Sequence, residues 1–306
     1  MSSKLLIIGG TGFIGKKLAK EALKKGFDVT IISLNKPKNK INEIKYIQVD
    51  INNKSELQKI LPFNSFQYVV NLSGYVDHSS FLDGGRSVIN THFNGLQNIL
   101  ELIDWNTLKK FVQIGSSDEY GNLEAPQDES MKEMPISPYS FAKMSATNLL
   151  KMLHITHQLP VVILRFFLVY GPGQEENRFL PQIINGCFNN RDFPVSDGNQ
   201  LRDFCYIDDA ISAILISFSN SKINGEVINI ASGNAISIRE VITIVQEKIG
   251  YGLPLFGKIP YRIGENMQLY ANISKAKNLL KWTPVTSIDV GITKTIKSFT
   301  KKEGID

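Results

Sequence analysis

The segment LLIIGGTGFIGKKLAKEAL, residues 5–23, joins three patterns that decide the fold. The four apolar residues Leu5 to Ile8 are typical of a buried strand, and glycines follow them directly. From Phe13 to Lys25 the apolar residues recur at helical spacing, and Gly26 ends the pattern. The sequence therefore predicts a strand, a glycine-rich turn and a helix in immediate succession.

The glycines of this turn, Gly9, Gly12 and Gly15, are spaced as in dinucleotide-binding loops. We expect one to permit the tight turn, one to let backbone approach a pyrophosphate and one to let helix and strand pack closely. The free N–H groups of the helix would then face the phosphates. A purely structural turn is the alternative, and the strand–loop–helix context favours the dinucleotide site.

Strand and helix patterns alternate through the first half of the chain. We predict strands at 5–8, 28–33, 45–50, 67–74, 109–117 and 160–166, and helices at 13–25, 54–61, 86–104 and 137–153. This alternation implies right-handed crossovers and an α/β fold with a Rossmann-type, doubly wound parallel sheet.

The second half is punctuated by proline and glycine and is less regular. It contains a possible strand at 227–232 and helical patterns at 237–248 and 287–299. We expect a dinucleotide-binding domain over 1–170, with additions from about 204–235, and a smaller, discontinuous and interleaved substrate lobe over 171–306.

Composition narrows the class of protein. The chain has 306 residues and a formal net charge of +5, but its lysines are scattered, which favours a solvated surface over a nucleic-acid site. Its two cysteines, Cys187 and Cys205, stand far apart, so we expect no disulfide framework and no metal site. We find no signal peptide and no apolar run near the ~18 residues of a membrane span. We therefore expect a cytoplasmic enzyme.

The end of the second strand bears on the choice of nicotinamide cofactor. NAD sites usually place an acid there, whereas this strand ends in Ser33, followed by Leu34, Asn35 and Lys36. Ser33, Asn35 and Lys36 could hold a 2′-phosphate, so NADP is favoured, with NAD as the alternative. Asp50 would contact the adenine or cap the next helix. Further cofactor contacts are expected from Thr11, Phe13, Ile14, Ile51, Leu72, Ser73 and Gly74.

Three residues predict a proton-transfer site. Tyr139 and Lys143 are four positions apart and share a helix face, and Ser116 ends the strand FVQIGSS. At a nicotinamide, the lysine would lower the pKa of the tyrosine, and the serine would hold the substrate oxygen. A surface helix is the alternative for the Tyr–Lys pair alone. His78, after the fourth strand, either faces the cofactor or is an ordinary loop residue.

The chain resembles the extended short-chain dehydrogenase/reductases that act as nucleotide-sugar epimerases, dehydratases or reductases. The resemblance covers nearly the whole chain, through GGTGFIG (9–15), GSSDEYG (115–121), PYSFAK (138–143), LRFFLVYGPGQ (164–174), RDFCYIDDA (202–210) and YANISKAKNLLKWTP (270–284). It implies that Tyr139 is the acid/base, that Lys143 binds the nicotinamide ribose and that Ser116 holds the sugar oxygen. It also implies substrate contacts from Ser117, Asp118, Arg202 and Arg262, with the two arginines on the diphosphate.

Departures from this group guide the choice of reaction. Ser117 and Asp118 stand where the 4,6-dehydratases carry an Asp–Glu pair, so dehydration is disfavoured. The Cys–His pair of the 3,5-epimerase/4-reductases is absent. The motifs GSSDEYG and GPGQ are most similar to the GDP-4-keto-6-deoxymannose reductases. His92 and Leu168 replace asparagines found in many relatives.

We therefore expect an oxidoreductase at C4 of a nucleotide-activated sugar, either a 4-keto-6-deoxysugar reductase or a 4-dehydrogenase. A 4-epimerase that retains NAD needs the same residues and is the alternative. A cofactor-binding regulator without catalysis is a further one.

The resemblance also implies a homodimer formed by four helices, here around 86–104 and 137–157. Residues 93–103 and 144–155 carry more apolar side chains than one helix face needs: 93, 96, 99, 100, 102 and 103 in the first, and 144, 149, 150, 152, 153 and 155 in the second. Coverage by the sheet or the smaller lobe is the alternative to a twofold partner.

Overall fold

A parallel sheet of seven strands organises the computed structural model, which describes residues 2–60, 65–261 and 264–303. The strands along the chain are β1 (Lys4–Ile8), β2 (Asp28–Ser33), β3 (Lys45–Gln48), β4 (Tyr68–Asn71), β5 (Lys110–Ser116), β6 (Val161–Phe166), β7 (Leu168–Tyr170), β8 (Asp192–Pro194), β9 (Leu201–Tyr206), β10 (Val227–Ile230), β11 (Ala235–Ser237), β12 (Leu253–Leu255) and β13 (Gln268–Leu269).

The order of the main sheet is β10-β6-β5-β4-β1-β2-β3, and every neighbouring pair is parallel. The strand order reverses at β1, which lies between β2 and β4. The chain therefore runs from β1 toward one edge of the sheet and from β4 toward the other. A crevice opens at the carboxyl ends of these two strands. The predicted fold class, a doubly wound α/β sheet, is confirmed.

Helices cover both faces of this sheet. The described α-helices of the chain are α1 (Phe13–Lys24), α2 (Lys54–Ile60), α3 (Arg86–Ile89), α4 (Gly95–Leu102), α5 (Pro138–His157), α6 (Phe179–Phe188), α7 (Ile207–Ser217), α8 (Ile238–Ile249) and α9 (Ile288–Glu303). Along β1, Leu5 and Ile7 join one hydrophobic core, whereas Leu6 and Ile8 join the other. Burial on both faces explains the uninterrupted apolar run in β1.

The predicted elements of the first half are present, with shifted ends. The third strand stops at Gln48, the fourth covers only Tyr68–Asn71, and α5 continues to His157. Residue 61, assigned to the second helix, lies outside the described residues. The predicted helix at 86–104 is confirmed but irregular, because π-helical segments at Phe81–Gly85 and Asn90–Asn94 flank α3.

The second half holds more regular structure than the sequence indicated. Strand β9 pairs with β7, β11 and β13, β8 pairs with β12, and β10 returns to the edge of the main sheet. Helices α6 and α7 were not predicted. Tyr206 ends β9 and Ile207 begins α7, so no turn residue marks the boundary between them.

Two buried aspartates tie the second half to the sheet edge. Asp203 on β9 accepts hydrogen bonds from the backbone of Ser232, Gly233 and Ala271. Asp209 on α7 accepts the backbone N–H groups of Val285 and Thr286. The motif that contains both residues therefore has a structural role, because it fixes three distant loops.

Among the described helices, none has both the length and the apolar character needed to cross a bilayer.

Candidate active site

The glycine loop joins β1 to α1 at the crevice. Gly9 has a φ of +76°, and a Cβ there would lie 2.9 Å from the carbonyl oxygen of Leu72 after β4. A Cβ on Gly15 would come within 2.5 Å of the Cα of Gly10. Gly9 therefore permits the turn between two strand ends, and Gly15 permits the helix to pack on the loop.

Gly12 differs from Gly9 and Gly15. It is the N-cap of α1 with a φ of −77°, and a Cβ there would meet only the carbonyl oxygen of Gly9, at 3.6 Å. Within the described chain no side chain caps this helix end, and its first turn holds no acidic residue. The first N–H groups of this helix therefore have no side-chain cap and suit a pyrophosphate.

The other side of the loop forms a pocket against β2 and β3. The pocket is lined by Thr11, Ile31, Asn35, Lys36, Pro37, Lys40, Tyr46, Ile47 and Gln48, and none of these residues is acidic. The Ser33 and Thr11 hydroxyl oxygens lie 2.6 Å apart, so Ser33 is held against the loop. Asp50 accepts the backbone N–H of Asn52 at 2.9 Å, which gives its carboxylate a local role in the turn before α2.

The residues after β4 shape the next part of the crevice. Ser73 donates to the side chain of Asn71, at 2.6 Å, and Asn71 donates to Gln113 on β5. A side chain on Gly74 would collide with the ring of His92, at 2.0 Å. Gly74 is therefore required for the packing of His92 on this edge.

The three predicted reactive residues come together at the carboxyl end of β5. Ser116 ends the strand, while Tyr139 and Lys143 lie on the first turns of α5, and each is less than one-tenth exposed. The Ser116 side chain lies close enough to the Tyr139 hydroxyl to lower the pKa of that tyrosine. The Lys143 Nζ donates to the carbonyl oxygen of Ile114 at 2.9 Å and lies 5.9 Å from the Tyr139 ring centroid. Two hydroxyls and an ammonium therefore share one edge of the sheet with the glycine loop.

The expected lowering of the tyrosine pKa is not found. Burial raises the pKa of Tyr139 well above its ordinary value, and the charge of Asp118 raises it further, whereas the Ser116 side chain acts in the opposite direction. Burial also lowers the pKa of Lys143 to about 8. The sequence argument considered the lysine charge but could not include the desolvation of both groups.

Two histidines flank Tyr139. The His92 ring centroid lies 5.2 Å from that of Tyr139, and its Nε2 lies 3.0 Å from the carbonyl oxygen of Tyr75. Burial, followed by the charge of Lys143, lowers the pKa of His92 to about 3 and keeps it neutral. The His78 ring centroid lies 5.6 Å from that of Tyr139, so His78 faces the site.

Glu119 connects the elements that carry the reactive groups, and sequence reasoning missed it. Its side chain is fully buried; Oε1 accepts the Ser116 N–H at 2.8 Å, and Oε2 accepts the Thr147 hydroxyl and the Arg165 Nη2, both at 2.8 Å. Thr147 lies one helical turn beyond Lys143, and Arg165 lies on β6. We call this set the Glu119 network. The signal that could have identified Glu119 is a charged residue directly before Tyr120 in a motif whose other residues are mostly buried.

The predicted substrate residues lie around the same strand end. Ser117 is buried, and the Asp118 N–H donates to Ser116 Oγ at 3.2 Å. Arg202 is ion-paired with Glu265. Leu168 is paired with Phe204 between β7 and β9 and is part of that sheet. Arg262 lies outside the described residues.

Over the described ranges, no group of His, Cys, Asp and Glu side chains is arranged to hold a metal ion.

Comparisons with known proteins identify the family and support the fold. The model of the NAD dependent epimerase/dehydratase family matches residues 5–231. The UDP-glucuronate 4-epimerase of Thermodesulfobacterium geofontis is 30% identical over 312 residues, which cover 95% of this chain and 94% of that protein.

Two solved 4-epimerases share the whole architecture. The UDP-glucuronic acid 4-epimerase of Bacillus cereus, in complex with UDP-glucuronic acid and NAD, is 29% identical with a TM-score of 0.85, over 98% of this chain and 99% of that chain. The UDP-glucose 4-epimerase of Thermotoga maritima, with UDP-glucose, is 25% identical with a TM-score of 0.89, over the same 98% and 99%. The similarity does not single out GDP-4-keto-6-deoxymannose reductases.

The glycine loop yields a prediction that separates folding from cofactor binding. Gly15→Ala should lower the free energy of unfolding by about 1–3 kcal/mol, because its Cβ meets the loop backbone. Gly12→Ala should change it by less than about 1 kcal/mol, yet weaken NAD binding about tenfold or more, because its Cβ points to the pyrophosphate position. Urea unfolding and titration calorimetry measure the two effects. Unchanged NAD affinity in Gly12→Ala would contradict this assignment.

The Glu119 network yields a second prediction. Thr147→Val removes the hydroxyl that Glu119 holds, so the free energy of unfolding should fall by about 1–2 kcal/mol and kcat should fall with little change in KM. Thr147→Ser keeps the hydroxyl and is the matched control. Chemical denaturation and steady-state kinetics provide the measurements. A destabilised Thr147→Val variant with wild-type kcat would show that the network does not position the reactive groups.

Proposed function

The chain belongs to the NAD dependent epimerase/dehydratase family, and from this membership we propose that it is a nucleotide-sugar 4-epimerase that retains NAD. The observation that carries the proposal is the buried Ser116–Tyr139 hydroxyl pair at the same sheet edge as the glycine loop. This arrangement presents acid–base groups to a sugar hydroxyl beside a dinucleotide. The 4-epimerase relatives favour this reaction over the C4 reduction expected from the motifs.

NAD, when bound, would supply the redox chemistry at C4 of the sugar. The protein groups have separate tasks: Ser116 holds the C4 oxygen, and Tyr139 exchanges a proton with it. Burial disfavours the phenolate of Tyr139. The ammonium of Lys143, whose Nζ lies 5.9 Å from the Tyr139 ring centroid, would stabilise that phenolate when it forms. His92 stays neutral, so it adds no competing positive charge beside the lysine.

NADP-dependent C4 reduction is the second candidate. The pocket at the end of β2 favours it, because Asn35 and Lys36 line that pocket and no described acidic residue does. Against it, the solved relative from Bacillus cereus contains NAD. We therefore place NAD first.

The intact set of Ser116, Tyr139 and Lys143 argues against a regulator without catalysis.

We also propose a homodimer in the cytoplasm. Leu96, Ile99, Leu100 and Ile103 are buried in the chain's own core, so the first helix offers less free apolar surface than its sequence indicated. On α5, the side chains of Phe141, Met152 and Ile155 are 46%, 44% and 73% exposed. These three side chains, and not the whole helix pair, support a twofold contact.

Buried thiols at Cys187 and Cys205 fit a reducing compartment.

The test of the proposed reaction uses the purified protein with UDP-glucose or UDP-glucuronate and no added cofactor. We expect the 4-epimer to form catalytically and mass spectrometry of the denatured protein to detect NAD. Tyr139→Phe should keep NAD but lose about 10²–10⁴-fold in turnover, because only the proton donor is removed. Stoichiometric consumption of NADPH with an added nucleotide 4-keto-6-deoxysugar, together with no epimer from either UDP-sugar, would return C4 reduction to first place.

The dimer is tested by light scattering at micromolar concentration. We expect the mass of two chains for the wild type and of one chain for Ile155→Asp, because a carboxylate would be buried in the contact. Val285→Asp, at another exposed apolar position, is the matched control and should remain dimeric. A single-chain mass for the wild type would contradict the proposal.

A further inference from the structure

His92 is a buried side chain beside the reactive groups that the proton-transfer step itself does not use. It lies at the middle of the π-helical segment Asn90–Asn94, between α3 and α4, and is the residue of that segment that the fold buries. The wide turn is closed by a hydrogen bond from the Gly95 N–H to the carbonyl oxygen of Asn90. Turns of this kind are rare in helices and are frequently found at functional sites. The helix is therefore distorted where it presents His92 to the active site.

The hydrogen bond of the His92 ring fixes its tautomer. Nε2 lies 3.0 Å from the carbonyl oxygen of Tyr75, and a carbonyl oxygen only accepts hydrogen bonds, so Nε2 carries the proton. A neutral imidazole has a single N–H, and here that N–H is committed to the backbone of the segment after β4. His92 therefore connects the long helix to this segment and has no proton left to donate to a substrate.

The ring of His92 also contacts Tyr139. The two ring centroids lie 5.2 Å apart with an angle of 78° between the planes, which is the edge-to-face arrangement that ring pairs favour. The imidazole also packs on Gly74, where an added Cβ would lie 2.0 Å from its Cε1. The His92 side chain is therefore packed on the segment after β4 and on the tyrosine of the reactive set.

Tyr139 has a second imidazole neighbour that is held less firmly. The His78 side chain is 46% exposed, and it belongs to residues 75–80, which form neither helix nor strand. His92 is only 4% exposed, comes from a packed helix and is anchored by its hydrogen bond. Burial and anchoring together make a rigid support, so His92 rather than His78 limits the movement of the Tyr139 ring.

We propose that His92 is a positioning residue for the action at C4: its ring holds the Tyr139 ring in place, and its Nε2–H holds the segment after β4. This role rests on the proposed function. Proton transfer is efficient only when the reacting groups are held close to the productive geometry, so a freer Tyr139 ring lowers the rate of the reaction rather than the binding of substrate. A freer Tyr75 backbone instead allows the edge of the crevice to open more often.

Two substitutions separate the ring of His92 from its hydrogen bond. His92→Gln keeps an N–H donor for the Tyr75 carbonyl but removes the ring, whereas His92→Phe keeps a ring but removes the donor. Leu96→Ala, four residues later in the same helix and buried in the core, is the control for a general loss of stability. Thermal unfolding defines a temperature at which every variant is folded.

The first two measurements use the full chain loaded with NAD and UDP-glucose or UDP-glucuronate as substrate. We expect kcat to fall about tenfold or more in His92→Gln, with KM within about twofold of wild type, and to stay within about threefold in His92→Phe and Leu96→Ala. Hydrogen exchange followed by mass spectrometry should show faster amide exchange over residues 74–80 in His92→Phe, but not in His92→Gln or Leu96→Ala.

A spectroscopic measurement does not depend on turnover. In protein labelled with ¹³C in its tyrosine rings, the Tyr139 signals are assigned by their loss in Tyr139→Phe. We expect the two sides of this ring to interconvert faster in His92→Gln than in wild type, because the edge contact is gone. The interconversion rate should remain at the wild-type value in His92→Phe and in Leu96→Ala.

Wild-type kcat in His92→Gln, or an equal fall of kcat in His92→Phe or Leu96→Ala, would overturn the positioning role of the ring. An unchanged interconversion rate of the Tyr139 ring in His92→Gln would also overturn it. Unchanged amide exchange in His92→Phe would overturn the role of the hydrogen bond. If neither UDP-sugar is epimerised but the Tyr139 ring moves faster in His92→Gln alone, the proposed function fails while the role of His92 stands.

Discussion

The buried carboxylate of Glu119 is the interaction on which the arrangement of the site depends. It accepts the backbone N–H of Ser116, the hydroxyl of Thr147 and the guanidinium of Arg165, so it links β5, α5 and β6. An isolated carboxylate at this depth would be strongly unfavourable, and three donors compensate for its lost water. Because the reactive hydroxyls lie on β5 and α5, their separation is set by a group that touches neither of them.

The sheet topology then brings this unit to the cofactor loop. The strand order reverses at β1, so the glycine loop, the residues after β4 and the end of β5 border one crevice. Asp203 and Asp209 attach later loops of the chain to β9 and α7. The site is therefore assembled from elements far apart in sequence, and the end of β5 is held by a backbone hydrogen bond to the buried Glu119.

Patterns confined to one element were predictable from the sequence. The strand–loop–helix start, the strand alternation and the shared face of Tyr139 and Lys143 depend on local spacing. The boundary between β9 and α7 was missed because Tyr206 and Ile207 belong to one apolar run. The direction of the Tyr139 pKa shift was wrong because desolvation depends on the whole fold. Pairs such as Asp118 with His78 are tertiary contacts that spacing alone does not reveal.

The central claim is that residues at this edge of the sheet invert the configuration at C4 of the sugar while NAD stays bound. A sugar labelled at C4 tests this claim most directly. A nucleotide sugar carrying deuterium at C4 is equilibrated with the NAD-loaded protein in ordinary water, and both epimers are examined by mass spectrometry and NMR. The account predicts that deuterium remains at C4 in substrate and product. Loss of the label to solvent, or its transfer to a released cofactor, would contradict it.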